Sequence, residues 1–243
     1  GRSTPAAAAT RTAPAPAPTS PGTPSPAPSS PAPQPSPSGP HSGLLQSLVV
    51  RQQDVPDSVV VAPISGGTEV EGQVTLDLCS GTFASESLRL ERLQTAVFQA
   101  SGEATFSTEA VLYRSPAATD QAFRELRSVS ASCPSTPVTN ASGETVTYRF
   151  EEAPDTTWPR TKGVDRQAYR FTVTESDGTV RTLDAVYLKR GPVLLGLYFL
   201  DPDGAQTPVE GRTTVPGIVT LFEERLLRDG SGTGVDSGTG TTA

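Results

Sequence analysis

The sequence predicts an α+β domain, a central antiparallel sheet covered by a few helices and stapled by one disulfide, behind a long disordered Pro-rich N-terminal arm. Three observations carry that expectation. Several runs alternate apolar and polar residues with a period of two and are separated by Gly-containing turns, the pattern of antiparallel hairpins. Other stretches repeat their apolar residues every three or four positions, the pattern of amphipathic helices. The strands follow one another without the regular strand–helix alternation of a parallel sheet.

Taken in order, "GLLQSLVVRQQDVPD" places Leu44, Leu45, Leu48 and Val49 on one face at helical spacing, and Val55-Pro56 stops the helix. "SVVVAPI" and "EVEGQVTLDL" are strand-like or irregular, with a turn at Gly66-Gly67. "LERLQTAVFQA" and "ATFSTEAVLYR" flank Ser101-Gly102 as the arms of a hairpin. Next comes the strongest helical signal in the chain. Ser115 can cap, Pro116 suits the first helical position, and Ala118, Ala122, Leu126, Val129 and Cys133 form a stripe that ends before Pro134. In "TVTYRFEE" Val146, Tyr148 and Phe150 alternate with polar residues, and in "QAYRFTVTE" Tyr169, Phe171 and Val173 do the same, so each reads as a half-buried strand. "SDG" at 176–178 turns into "TVRTLDAVYLKR", and Gly191-Pro192 turns into "VLLGLYFL", apolar enough for a central strand. Val215, Ile218, Val219, Phe222 and Leu226 make a final helix with Gly230 as its stop. The predicted order is helix, hairpin, helix, three-stranded meander, helix.

Composition divides the chain into three parts. Thirteen of the 24 prolines fall between Pro5 and Pro40, and such a segment cannot bury enough apolar surface to offset its ordering entropy. Residues 1–42 are therefore expected to be a disordered Pro/Ala/Ser/Thr-rich linker, 43–229 a single domain, and 230–243 a flexible Gly/Ser/Thr tail. In polyproline II form the arm reaches roughly 120 Å. The chain opens at Gly1 without Met or a signal peptide, which points to a processed or truncated product. A lipidated cysteine ahead of Gly1 would make the arm a tether, and that anchor is the one membrane link expected. The net charge of −7 becomes −9 once Arg2 and Arg11 of the arm are set aside. A domain so acidic, without a Lys/Arg cluster in its sequence, is a poor binder of nucleic acid or an anionic membrane. No run of about 18 apolar residues occurs, so no membrane-spanning helix is expected.

The two cysteines, Cys79 and Cys133, could be metal ligands, a nucleophile or a bridge. A zinc site needs about four Cys or His ligands, and the one histidine, His41, sits at the edge of the arm. A nucleophilic Cys79 would need a base, whereas "LDLCSG" offers Asp77, which raises a thiol pKa. The remaining reading is a disulfide between Cys79 and Cys133, and with it an oxidising, extracytoplasmic location. Neither metal nor cofactor is expected. Enzyme signatures are sparse: no histidine base lies inside the domain, and neither Lys162 nor Lys189 completes an S-x-x-K motif. Glu151, Glu152, Asp155 and Asp184 could meet as a carboxylate pair for glycan hydrolysis, or form a solvated acidic face. "DPDG" at 201–204 reads as a type I turn rather than a calcium loop.

The long connection 151–165 is a candidate functional loop, because connections of that length are often functional. It holds the single tryptophan, Trp158, with Arg160 and Lys162 close by. The indole and its cations form a ligand- or partner-binding wall, or Trp158 folds back over the sheet as an apolar plug, the reading the sequence favours.

"TLDLCSGTFASESLRLERLQ", "TEAVLYRSPAATDQAFRELRSVSASCP", "LYFLDPDG" and "VPGIVTLFEERLL" together resemble actinobacterial secreted sensor-domain lipoproteins, which are similar to the extracellular sensor domain of the PknH-type Ser/Thr kinases. The resemblance rests on Asp77, Cys79 and Gly81 ahead of a hairpin, and on Ala118, Ala122, Leu126, Arg127, Cys133 and Pro134 in a helix that supplies the second cysteine. It covers roughly residues 44–228. It implies an α+β fold with an antiparallel sheet, export with lipid anchoring through a Pro-rich linker, and ligand sensing without established chemistry. The kinase domains carry two disulfides, and this chain has cysteines for one. The function expected is a non-enzymatic, ligand-binding or sensor-like domain at the cell envelope. Its partner would be a small or lipid-like ligand, or alternatively an envelope protein.

Overall fold

A computed structural model describes residues 39, 42–72, 76, 78–140, 143–151 and 153–230. Almost all of the predicted arm and tail, together with His41, Asp77 and Glu152, lie outside the described residues. Among the described residues the chain forms eight strands and three α-helices, an α+β fold: α1 (Ser42–Leu48), β1 (Val60–Pro63), β2 (Arg89–Phe98), β3 (Ala104–Tyr113), α2 (Pro116–Ala131), β4 (Val138–Thr139), β5 (Thr145–Phe150), β6 (Asp165–Glu175), β7 (Val180–Arg190), β8 (Val193–Phe199) and α3 (Val215–Asp229).

The strands make one antiparallel sheet in the order β1-β2-β3-β8-β7-β6-β5-β4. The topology follows from one long crossing. After β3, in the middle of the sheet, α2 carries the chain to the far edge at β4, and four longer strands meander back until β8 pairs with β3. All four runs read as strands between 145 and 200 join this meander, four where the predicted order counted three, and Thr145–Phe150 pairs in register with β6, Phe150 facing Phe171. "VLLGLYF" is central, as its apolar run requires, with β3 on one side and β7 on the other.

Local signals explain most boundaries. The Ser115 hydroxyl accepts from the Ala118 N–H at 3.2 Å and Pro116 opens α2, while Thr214 accepts from the Gly217 N–H at 3.3 Å at the head of α3. The β2–β3 turn closes with the Gly102 N–H on the Gln99 carbonyl, and Gly102 has φ +84°. The first helix is shorter than its apolar stripe predicts and ends at Leu48. Its stop is tertiary: the Val50 N–H donates to Thr108 Oγ1 at 2.9 Å and Thr95 Oγ1 donates to the Val50 carbonyl at 3.0 Å, so the sheet takes both backbone groups. "EVEGQVTLDL" contains no strand among its described residues.

Alternate residues of the sheet feed two cores. Phe106, Ala110, Val186, Leu188, Leu195 and Leu197 pack with α1 and α3 on one face. On the other, Val111, Tyr148, Phe171, Tyr187 and Leu194 pack with α2 and with Leu76, Leu78 and Phe83. Aromatic rings cross this second face from Tyr198 through Tyr187, Tyr169 and Phe150 to Phe171, with centroids 5.5–6.2 Å apart. Cys79 and Cys133 are bonded, with Cα atoms 5.5 Å apart, and the bridge ties the segment ahead of β2 to the chain just past α2. The approach there is close: a Cβ on Gly81 would lie 2.7 Å from Val129 Cγ1, so only glycine lets the segment lie against the last turns of α2.

Buried arginine–carboxylate clusters fasten the peripheral elements. Arg225 on α3 donates to Asp54 Oδ2 at 2.8 Å, to Glu210 Oε1 at 2.7 Å and to the Val49 carbonyl at 3.0 Å, linking α3 to the chain after α1. Arg166, at the start of β6, donates through Nε to Asp155 Oδ2 at 3.0 Å and through Nη1 to Glu223 Oε1 at 2.9 Å and the Pro159 carbonyl at 2.8 Å. The loop 151–165 is thereby held to both the sheet and α3.

Two outcomes are expected. Replacing both cysteines with alanine, or reducing the bridge, lowers the unfolding free energy by about 4 kcal/mol in the chain-entropy account of a 54-residue separation, read from urea unfolding with and without reductant. Arg166→Leu costs about 3–5 kcal/mol, because Asp155 and Glu223 stay buried without their counter-charge, and it speeds proteolysis within 153–163. Arg160→Gln, whose partner bond to Asp155 starts from a side chain 63% exposed, costs under ~1 kcal/mol in the same assay.

Candidate functional site

An opening lies between α2 and the segment that leads into β6, with a volume of about 730 Å³. That is within the range of small-molecule sites. One wall is the polar side of α2, where Asp120, Phe123, Arg124 and Arg127 face the opening. The other wall is the end of the anchored loop, Arg160 to Val164, and the floor is formed where the start of β6 meets the end of β7, at Asp165, Gln167 and Lys189.

The walls are placed by contacts that do not use the opening itself. The Gln167 side-chain amide donates to the Phe123 carbonyl at 2.9 Å and sets the height of α2 above the sheet. Lys189 bonds Asp120 on α2 and Asp165 on β6, the latter at 2.9 Å, and its ammonium lies 5.6 Å from the centre of the Phe123 ring. On the loop, Thr161 Oγ1 donates to Glu223 Oε2 at 2.5 Å, and Arg160 donates to Asp155 Oδ2 at 3.1 Å. Gly163, at φ +92°, turns the chain with its carbonyl accepting from Arg190 Nη1 at 3.3 Å.

The electrostatics of this cleft contrast with the rest of the domain. Six cationic side chains line it against two carboxylates, in a chain of net charge −7. Arg166 is committed to Asp155 and Glu223, and Lys189 to Asp120 and Asp165. No carboxylate lies within ion-pair distance of Arg124, Arg127 or Lys162 among the described residues, and all three are exposed. The hydrogen bond from Lys189 holds the Asp120 carboxyl below its ordinary value. Burial works against the Lys189 ammonium, but Asp120 and Asp165 outweigh it and leave its pKa above the ordinary value.

The three residues singled out in the loop separate. Arg160 and Lys162 stand at the rim of the cleft. Trp158 points away, half-buried against the α1/α3 core, with the Arg166 guanidinium 5.7 Å from its ring centre. It borders a second, smaller opening of about 350 Å³ with Arg170, Asp184, Pro202 and Thr214. Two of the carboxylates considered for glycan chemistry are committed to arginines: Asp155 belongs to Arg166 and Arg160, and Asp184 takes a bidentate pair from Arg170 at 2.7 and 2.9 Å. Burial lifts the Asp184 carboxyl above its ordinary value despite Arg170. Glu151 is exposed and accepts from Thr172, and Glu152 lies outside the described residues. Asp201 closes its turn with the Gly204 N–H on its carbonyl at 3.3 Å, and Asp203 pairs with Arg170 at 3.0 Å.

Sequence reasoning missed Arg124, and named Arg127 only within the resemblance and Lys189 only as a lysine outside an S-x-x-K motif. The signal that marks the helix residues is that Asp120, Arg124 and Arg127 recur at spacings of four and three on the polar side of α2. Among the described residues no helix is long and apolar enough to cross a membrane.

No protein-family model matches the chain, and no curated protein matches it. Among solved structures it is similar to the crystal structure of the extracellular domain of PknH from Mycobacterium tuberculosis, at 11% identity and a TM-score of 0.46, over 78% of this chain and 96% of that one.

Proposed function

We propose that this chain is a non-enzymatic, extracytoplasmic binding domain of sensor-like type, displayed at the cell envelope, and that its small or lipid-like ligand occupies the cleft between α2 and residues 160–167. One observation carries the reading: an open cavity of about 730 Å³ whose walls are held by buried contacts behind it, leaving exposed cations on both sides of the opening. Preformed walls reduce the ordering cost of binding. The disulfide supports an oxidising compartment. The separation of Asp155 and Asp184 into different arginine pairs supports binding over carboxylate chemistry.

The test is native mass spectrometry of the full chain isolated from its own host, followed by hydrogen exchange with the released molecule added back. A bound small molecule is expected, and slowed exchange is expected at 120–127 and 160–167. Retention of no small molecule, or protection confined to other elements, overturns the assignment.

A further inference from the structure

We infer that the cleft is built for a phosphate-bearing organic ligand: a doubly charged head held between Arg124, Arg127 and Lys162, with the rest of the molecule against Gly163 and Val164. This inference rests on the proposed binding role and names the chemistry of the ligand.

Arg124, Arg127 and Lys162 carry charge outside any ion pair among the described residues. Several arginines are structural, as the pairs of Arg166, Arg170 and Arg225 with buried carboxylates illustrate, and exposed Arg114, Arg149 and Arg212 lie singly on the surface. Arg124 and Arg127 differ in lining one cavity together. They lie three apart on one helix, where like charges repel, and neither has a carboxylate partner among the described residues. The opposing wall brings Lys162, again without such a partner, and Arg160, which shares the single Asp155 oxygen that Arg166 already uses. Three side chains of one sign therefore face one cavity from two elements that meet only in the fold.

The number of cations selects the ligand class. A lone carboxylate carries one charge and two oxygens, and one arginine fork saturates it. A phosphomonoester carries about −1.5 to −2 at neutral pH and offers three strong acceptor oxygens, which matches two guanidinium forks and an ammonium. The cleft has room for more than an inorganic ion, since water occupies about 30 Å³ per molecule in the liquid and this cavity is many times larger. Gly163 and Val164 supply the less polar lining that an organic body would cover, while the Phe123 ring is buried beneath the Lys189 ammonium. The head could belong to a soluble phosphate ester or to a lipid headgroup, and both present the same group to these residues.

The experiment is calorimetric titration of the full, oxidised chain with fructose bisphosphate and with fructose, and flotation with phosphatidylcholine vesicles with and without phosphatidic acid. Binding of the bisphosphate but not fructose, or of the phosphatidic acid vesicles alone, is expected, and which of the two binds identifies the source of the head. Added salt should weaken it. The double variant Arg124→Gln/Arg127→Gln should lose roughly tenfold or more in affinity, since it removes two charge-assisted donors. Arg181→Gln, an exposed arginine paired with Glu175 outside the cleft, should leave the affinity unchanged. Unchanged thermal unfolding of the double variant confirms that the loss is local. Absence of binding to every phosphate probe at millimolar concentration, or equal binding by the double variant, overturns the inference. A neutral co-purifying molecule that protects 120–127 and 160–167 from exchange would overturn the phosphate assignment alone and leave the binding cleft standing. No retained molecule and no phosphate binding would remove both.

Discussion

The guanidinium of Arg166 is the point at which loop, sheet and last helix meet. Its side chain is 1% exposed and those of Asp155 and Glu223 are 7% and 1% exposed, so three charges have left water together. Such a cluster is tolerated only when nearly every donor finds an acceptor, and here Nε, Nη1 and Nη2 reach Asp155, Glu223 and the carbonyls of Pro159 and Trp158. The consequence is geometric. A 15-residue connection of this kind has many conformations available, yet its middle, at Asp155, Trp158 and Pro159, is tied to the one immobile cation that follows its end. Arg160 and Lys162 are presented to α2 because Arg166 holds the chain on either side of them.

The same device recurs with different partners. Arg225 joins α3 to Asp54, Arg170 joins β6 to Asp184, and Arg92 joins β2 to Glu109, whose second oxygen accepts from Tyr198. Burial raises the Glu109 carboxyl even so, whereas at Asp54 burial is outweighed by hydrogen bonds from Arg51 and Arg225 and the carboxyl is lowered. Every one of these buried carboxylates is met by arginine and none by lysine. A planar, permanently charged fork satisfies a buried carboxylate in two directions, and an ammonium on a flexible stem does so less well. Exposed lysine is then found where a solvated charge is useful, at Lys162 on the cleft rim.

Much of the fold was legible because it is written in short-range pattern. Ser115-Pro116 and the stripe through Leu126 marked α2, and Ser101-Gly102 marked the turn between β2 and β3. The pairing of Cys79 with Cys133 followed from chemistry that no other residue could complete. The misreadings were failures of locality. The apolar stripe of α1 continues through Val49, but the helix stops because Thr95 and Thr108, far along the chain, bond Val50. β6 read as half-solvated, whereas Arg166 and Ala168 on its other face are buried beneath α3 and the loop. The cleft was hardest of all. Arg124 and Arg127 are ordinary surface arginines until the meander, 35 residues later, returns Lys162 opposite them.

That distance in sequence makes the rigidity of α2 decisive. Its first turn is capped by Ser115, its middle is tied to β6 and β7 through Gln167, Asp120 and Lys189, and the chain beyond its last turn is stapled by the disulfide. A helix fixed at both ends cannot swing its arginines toward distant carboxylates to relieve their charge. The acidic remainder of the protein does little to cancel them, because at physiological ionic strength charges more than about 8 Å away are largely screened. The field inside the cleft is therefore set by the residues that line it and not by the net charge of the chain. An overall acidic protein can in this way present a cationic site, provided that its walls are held in place from behind.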